Sequence, residues 1–160
     1  MSVVTVVDYG RGNLFGLARA LEHLGSEAKV TSDPRLIEGA ERLILPGVGA
    51  FGDGMDNLRA RGLVEPLKRY AASGRPLLGI CLGMQLLLEE SDEFGRHEGL
   101  GLVPGRVTRF KDSPERAWKV PHVGWSRIRP TAEGGWNGSA LASTPEGEPM
   151  YFVHSYFAVP

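Results

Sequence analysis

The chain has 160 residues, a formal net charge of -1 and a single cysteine. That length suits one domain spanning 1–160, with a hydrophobic core that needs no disulfide or metal staple. The near-balanced charge speaks against a nucleic-acid or membrane surface, and one cysteine forms no internal disulfide.

The first residues lack the basic region of a signal peptide, and the apolar stretch Leu77–Leu88 is too short to span a bilayer. A soluble cytoplasmic protein is expected. Val3–Val7, mostly β-branched, predicts a buried parallel strand. Asn13 then caps a helix with Leu14, Leu17, Ala18, Leu21 and Leu24 on one face, and Gly25 ends it. Ala28–Val30 predicts a second strand, and Asp33-Pro34 a cap with proline at the first helical position. Arg42–Leu45 predicts a third strand, running into the irregular Pro46-Gly47-Val48-Gly49. A helical region follows, with Leu63, Val64, Leu67 and Ala71 on one side and Gly74 past its end. Leu77–Ile80 predicts the fourth strand and Leu82–Glu90 the helix after Cys81. This alternation predicts an α/β fold whose mostly parallel sheet is covered by helices on both faces. Beyond it, Val107–Phe110, Val123–Ile128 and Tyr151–Phe157 predict strands, with no long helix after Arg96. Gly134–Gly138 predicts a surface loop.

Chemistry concentrates at Gly79-Ile80-Cys81-Leu82-Gly83. A nucleophile between two glycines at a strand-to-helix junction has the form of a nucleophile elbow, here with a thiol. The tight turn lifts the thiol clear of the sheet. The start of a helix favours a thiolate, and the Leu82 N–H points where an oxyanion forms. Taken without these neighbours, a free cysteine reads as a small buried hydrophobe. The Gly47–Gly49 loop ends the adjacent strand at the same sheet edge and is the source of a second donor; read alone it is an ordinary glycine-rich turn.

Gly79–Gln85 resembles the nucleophile motif of class I, triad-type glutamine amidotransferases. Asp8-Tyr9-Gly10-Arg11-Gly12-Asn13-Leu14, Pro46–Gly52, Pro121-His122-Val123-Gly124-Trp125 and Tyr151–Tyr156 narrow the resemblance to the glutaminase subunit of imidazole glycerol phosphate synthase, over essentially the whole chain. The resemblance implies a flavodoxin-like fold. It implies that the Cys81 thiolate attacks the side-chain amide of glutamine, with the oxyanion held by the N–H of Leu82 and one in the Gly47–Gly49 loop, placed at Gly49. It further implies that Gly47, Gln85, Ser155 and Tyr156 bind substrate. The implied partner is a (β/α)8-barrel cyclase, met by Trp125 and the Asn13 loop, which uses the ammonia to make imidazole glycerol phosphate and an aminoimidazole carboxamide ribotide. No cofactor and no metal are implied.

The family's base is a histidine oriented by a glutamate in a His-Pro-Glu segment, and these 160 residues contain none. The expectation is a chain truncated at its C-terminus, lacking a final strand and helix, poorly stable in isolation and unable by itself to turn over glutamine. Of the four histidines, His23 and His97 read as solvated, His122 as support for Trp125, and His154 as the best substitute base on sequence grounds. Three rival readings stand beside this one. A non-catalytic docking subunit of the same synthase shares its family, and another class I glutaminase shares its chemistry. A Rossmann-like nucleotide-binding module would use the glycines after Val7, but Gly16 lies one residue too late for that fingerprint.

Overall fold

The computed structural model describes residues 2–111, 119–130 and 135–160. The chain forms two compact units, the first made of Met1–Arg109 with Phe157–Pro160, the second of Phe110–Tyr156. Among the described residues no helix is long and apolar enough to cross a membrane.

The first unit is built on a parallel sheet of order β2-β1-β3-β4, formed by β1 (Ser2–Val7), β2 (Ser26–Thr31), β3 (Leu43–Leu45) and β4 (Leu77–Gly79). Central β1 and β3 are apolar because both faces are covered: Val6, Val7 and Leu45 are fully buried. Helix α1 (Leu14–His23) starts where Asn13 Oδ1 accepts the Gly16 N–H at 3.0 Å. It lays Leu14, Leu17 and Leu21 on Val4, Val6 and Ile44. Asp33 caps α2 (Pro34–Glu38) through the Arg35 N–H.

The single helical region expected after β3 is two helices, α3 (Phe51–Ala60) and α4 (Val64–Ala72). Gly62, at φ +66°, breaks them apart, and its N–H closes on the Arg59 carbonyl. β4 is less covered than expected: Leu78 is 49% exposed. The helix after Cys81 is also shorter than expected, α5 spanning only Leu82–Gln85. The cause is competition for carbonyls. Those of Leu86, Leu87, Leu88 and Glu89 accept N–H groups from Gly99–Val103 instead of from a continuing helix. Gly99 lies so close to the Leu88 carbonyl that a β-carbon there would collide with it.

A second sheet of the first unit has the order β10-β7-β5-β6, from β5 (Glu90–Ser91), β6 (His97–Glu98), β7 (Arg106–Arg109) and β10 (Tyr156–Val159). The second unit is an antiparallel pair, β8 (His122–Arg127) and β9 (Pro149–His154), in register from His122 opposite His154 to Arg127 opposite Pro149. The strand expected over Tyr151–Phe157 thus breaks at Ser155, where the chain changes partner strands and the Ser155 carbonyl accepts the Phe110 N–H at 3.0 Å. Gly135–Gly138 form turns, whereas Gly134 lies outside the described residues.

Candidate active site

Cys81 sits at φ +55°, ψ -118°, a conformation that costs an L-residue about 1–3 kcal/mol. The turn is imposed by its surroundings. Ile80 N–H donates to the Leu45 carbonyl at 3.0 Å, continuing the β3–β4 pairing to the residue before the cysteine. Met84 and Gln85 N–H groups then close on the Cys81 carbonyl at 3.0 and 3.2 Å. Both flanking glycines are sterically required. A β-carbon at Gly79 would lie 2.5 Å from Met84 Cα, and one at Gly83 would collide with the Leu45 carbonyl oxygen. The Cys81 side chain is exposed at the tip.

The Gly47–Gly49 loop lies beside this turn. A β-carbon at Gly47 would stand 2.9 Å from Leu82 Cβ and 2.7 Å from Gly83 N. Gly49 takes φ +105°, open to glycine and strained for other residues. Among the described residues, the N–H groups of Gly47, Val48, Gly49 and Leu82 donate to no backbone carbonyl. Cys81, Leu82, Gly47 and Gln85 are therefore gathered where β3 and β4 end, with Gly49 two residues further along the same loop. Gln85 is half-buried one turn past the cysteine.

The remaining predicted residues lie elsewhere. Asn13 is exposed beyond β1, its side chain engaged in capping α1. In the second unit, Trp125 is 72% exposed and packs edge-on against Tyr151, with ring centroids 5.5 Å apart. Val123 and Val153 extend that exposed face. Ser155 and Tyr156 follow β9 and are half-buried. The opposite face of the hairpin carries a hydrogen-bonded chain: Ser126 Oγ to His122 Nε2 at 3.0 Å, His122 Nδ1 to His154 Nε2 at 3.1 Å, and His154 Nδ1 to the Tyr156 carbonyl at 2.9 Å. Both ring nitrogens of His154 are engaged in these hydrogen bonds. A cavity of about 730 Å³ opens beside this chain, lined among others by Phe110, His122, Phe152 and His154 and not by Cys81.

Three features escaped the sequence reading. Glu93 accepts the Phe51 N–H at 2.7 Å, so a carboxylate 42 residues away in the chain closes the start of α3, just after the glycine loop. His97 is half-buried rather than solvated, its ring packed on Gly52 of α3. Tyr9 is fully buried against Gly47. Only the glycines at 47 and 52 hinted at the contacts of Tyr9 and His97. Among the described residues no group of three or more His, Cys, Asp or Glu is placed to hold a metal ion.

The glutamine amidotransferase class-I family matches residues 5–160. The imidazole glycerol phosphate synthase subunit HisH of Syntrophotalea carbinolica is 49% identical over 99% of this chain and 76% of its own length. The HisH subunit of Rhodopirellula baltica is 48% identical over 99% and 74%. Among solved structures, a glutamine amidotransferase is similar at a TM-score of 0.58 and 25% identity, over 78% of this chain and 62% of that one. A Thermoplasma acidophilum protein, provisionally described as a component of GMP synthase, shares the fold at a TM-score of 0.62 and 20% identity, over 99% and 67%. The chain belongs to the class-I glutamine amidotransferase family and, within it, to the HisH subunits of imidazole glycerol phosphate synthase.

Proposed function

We propose that the protein releases ammonia from glutamine at Cys81 and passes it to a cyclase subunit in histidine biosynthesis. The observation that carries this reading is the backbone of Cys81, held at φ +55° between two glycines that sterics require. Strain concentrated at the one cysteine of the chain is hard to account for as packing. The thiolate adds to the glutamine amide carbon, and the N–H groups of Leu82 and Gly49 receive the oxygen charge. As the carbon–nitrogen bond breaks, the leaving nitrogen takes a proton and departs as ammonia, and a glutamyl thioester remains on Cys81. Water then cleaves the thioester to glutamate and restores the thiol. Gly47, Gln85, Ser155 and Tyr156 hold the rest of the substrate.

The base in this chemistry is, by resemblance, the histidine of a His-Pro-Glu segment, and we assign that role to none of these 160 residues. Both compact units are read as parts of one amidotransferase domain, a reading supported by a family match that runs through both. The partner is read as a (β/α)8-barrel cyclase in a soluble cytoplasmic heterodimer, with lyase chemistry on the cyclase side. Trp125 and the Asn13 loop supply contact surface, supported by their exposure.

The test is glutamate release from glutamine by the protein together with its cyclase. Cys81→Ala should abolish release, by at least about a thousandfold given the usual weight of a covalent nucleophile. Undiminished release by that variant would overturn the reading.

A further inference from the structure

Among the described residues the N–H groups of Gly47, Val48 and Gly49 bond to no backbone carbonyl, so packing must give this loop its shape. That packing comes from the segment between β1 and α1, at three points. The Tyr9 hydroxyl stands against Gly47, where a β-carbon would collide with it. A β-carbon at Gly12 would lie 3.3 Å from Cβ and Cγ of Pro46. One at Gly49 would lie 3.3 Å from Arg11 Nη1. Tyr9 and Gly12 thus back the start of the loop, and Arg11 is the side chain that reaches its far end.

The direction of Arg11 is set by its own turn. Asp8 Oδ1 accepts the Gly10 N–H at 3.0 Å, and the glycines on either side of Arg11 take φ +83° and +142°. The guanidinium ends in an ion pair, Arg11 Nη2 donating to Asp53 Oδ2 at 3.1 Å. Asp53 lies in the first turn of α3, the helix into which the loop runs. That helix start is held from elsewhere as well, because Glu93 accepts the Phe51 N–H at 2.7 Å. One nitrogen of a rigid, planar group therefore rests on Gly49 while another is tied to a fixed post four residues further on. Gly49, at φ +105°, has little conformational preference of its own. An ion pair as open to solvent as this one adds little to the stability of a fold, and here it acts on a loop with little else to hold it.

We propose that Arg11 is a positioning residue: strapped to Asp53, its guanidinium lies across Gly49 and keeps that residue in the one arrangement that serves as oxyanion donor. This rests on the reading of Gly49 as such a donor. It adds to that reading the source of the order that the loop does not generate itself.

The test is glutamate release from glutamine by the protein with its cyclase, in the wild type, Arg11→Met, Asp53→Asn and the double variant. Arg11→Met should lower kcat about tenfold, part of the hundredfold or more, roughly, that loss of an oxyanion donor costs, with KM for glutamine little changed. Asp53→Asn should do the same, and the double variant should lose no more than either alone, since one strap is cut once. Melting temperatures should stay together, a readout that a structural role would move. Unchanged kcat in Arg11→Met would overturn the proposal. So would losses that multiply in the double variant, or a melting temperature that falls along with kcat. A wild type that releases no glutamate would overturn the amidotransferase reading, and the strap is then judged by nitrogen relaxation of the Gly49 amide. Its order parameter should drop from about 0.85, the rigid-backbone value, to below about 0.6 in Arg11→Met, and an unmoved value would overturn the strap.

Discussion

His122 Nδ1 lies 3.1 Å from His154 Nε2, and the two rings face each other across the first paired position of the β8–β9 hairpin. The Tyr156 carbonyl fixes the protons, because an oxygen acceptor requires His154 Nδ1 to donate. With His154 neutral, its Nε2 accepts from His122 Nδ1–H, and His122 Nε2 accepts from the Ser126 hydroxyl. Nitrogen NMR of the neutral protein should therefore find both histidines protonated at Nδ1. His154→Ala should cost about 1–3 kcal/mol in chemical denaturation, since it strips the partner from His122 and removes ring packing against Phe110 and Phe152.

Gly83→Ala should be among the most damaging single-methyl additions. The new β-carbon meets the Leu45 carbonyl, which is backbone and has nowhere to withdraw while Ile80 N–H is bonded to the same oxygen. A loss of about 3 kcal/mol or more is expected, read as a fall in denaturant midpoint at constant m-value.

Cys81→Gly and Cys81→Ala both delete the thiol, but only glycine accepts φ +55° freely. Cys81→Gly should be the more stable of the two by about 1 kcal/mol in equilibrium unfolding. Equal stability would mean that the turn is not strained.

Alkaline pH should unfold the protein earlier than its surface tyrosines alone would. Between pH 10 and the raised folded value, Tyr9 is ionised in the unfolded chain and neutral in the folded one, chiefly through burial. The unfolded state then binds fewer protons, so stability falls as pH rises. Tyr9→Phe should flatten that alkaline limb in thermal melts taken at several pH values above 9.

Trp125→Ala should leave folding nearly untouched, because the side chain is 72% exposed. Binding to the cyclase, measured by calorimetry, should weaken by at least about tenfold, the usual weight of an aromatic anchor at an interface centre. Unchanged affinity would move the contact surface away from this hairpin face.

The parallel half of the fold is legible because its signals are local. Asn13, the Asp33-Pro34 pair and Gly25 mark helix boundaries by short-range hydrogen bonding, and the apolar β-branched residues of β1 need only one neighbour on each face. The Cys81 turn is legible for the same reason, its glycines lying two residues away on each side. What fails depends on distant partners. Nothing between Leu86 and Glu90 announces that Gly99–Val103 will take their carbonyls, so the local pattern predicts too long a helix. Tyr151–Phe157 is a uniform strand pattern, and its break at Ser155 comes from a change of neighbouring strand. Tyr9 reads only as part of a motif and Glu93 stands in none, and both acquire meaning beside Gly47 and Phe51.

The dependence of Cys81 on Leu45 has a temporal side. The segment Leu77–Leu88 closes the turn with its own hydrogen bonds to the Ile80 and Cys81 carbonyls, but the anchor of the residue before the cysteine, the Leu45 carbonyl, comes from a separate strand. In a nascent or partly opened chain the cysteine relaxes to ordinary geometry and loses the adjacent donors. Its reactivity then becomes that of any unstructured thiol until β3 and β4 have zipped together. The sulfur is thus a built-in reporter of folding progress, switching chemical character at the moment the sheet closes.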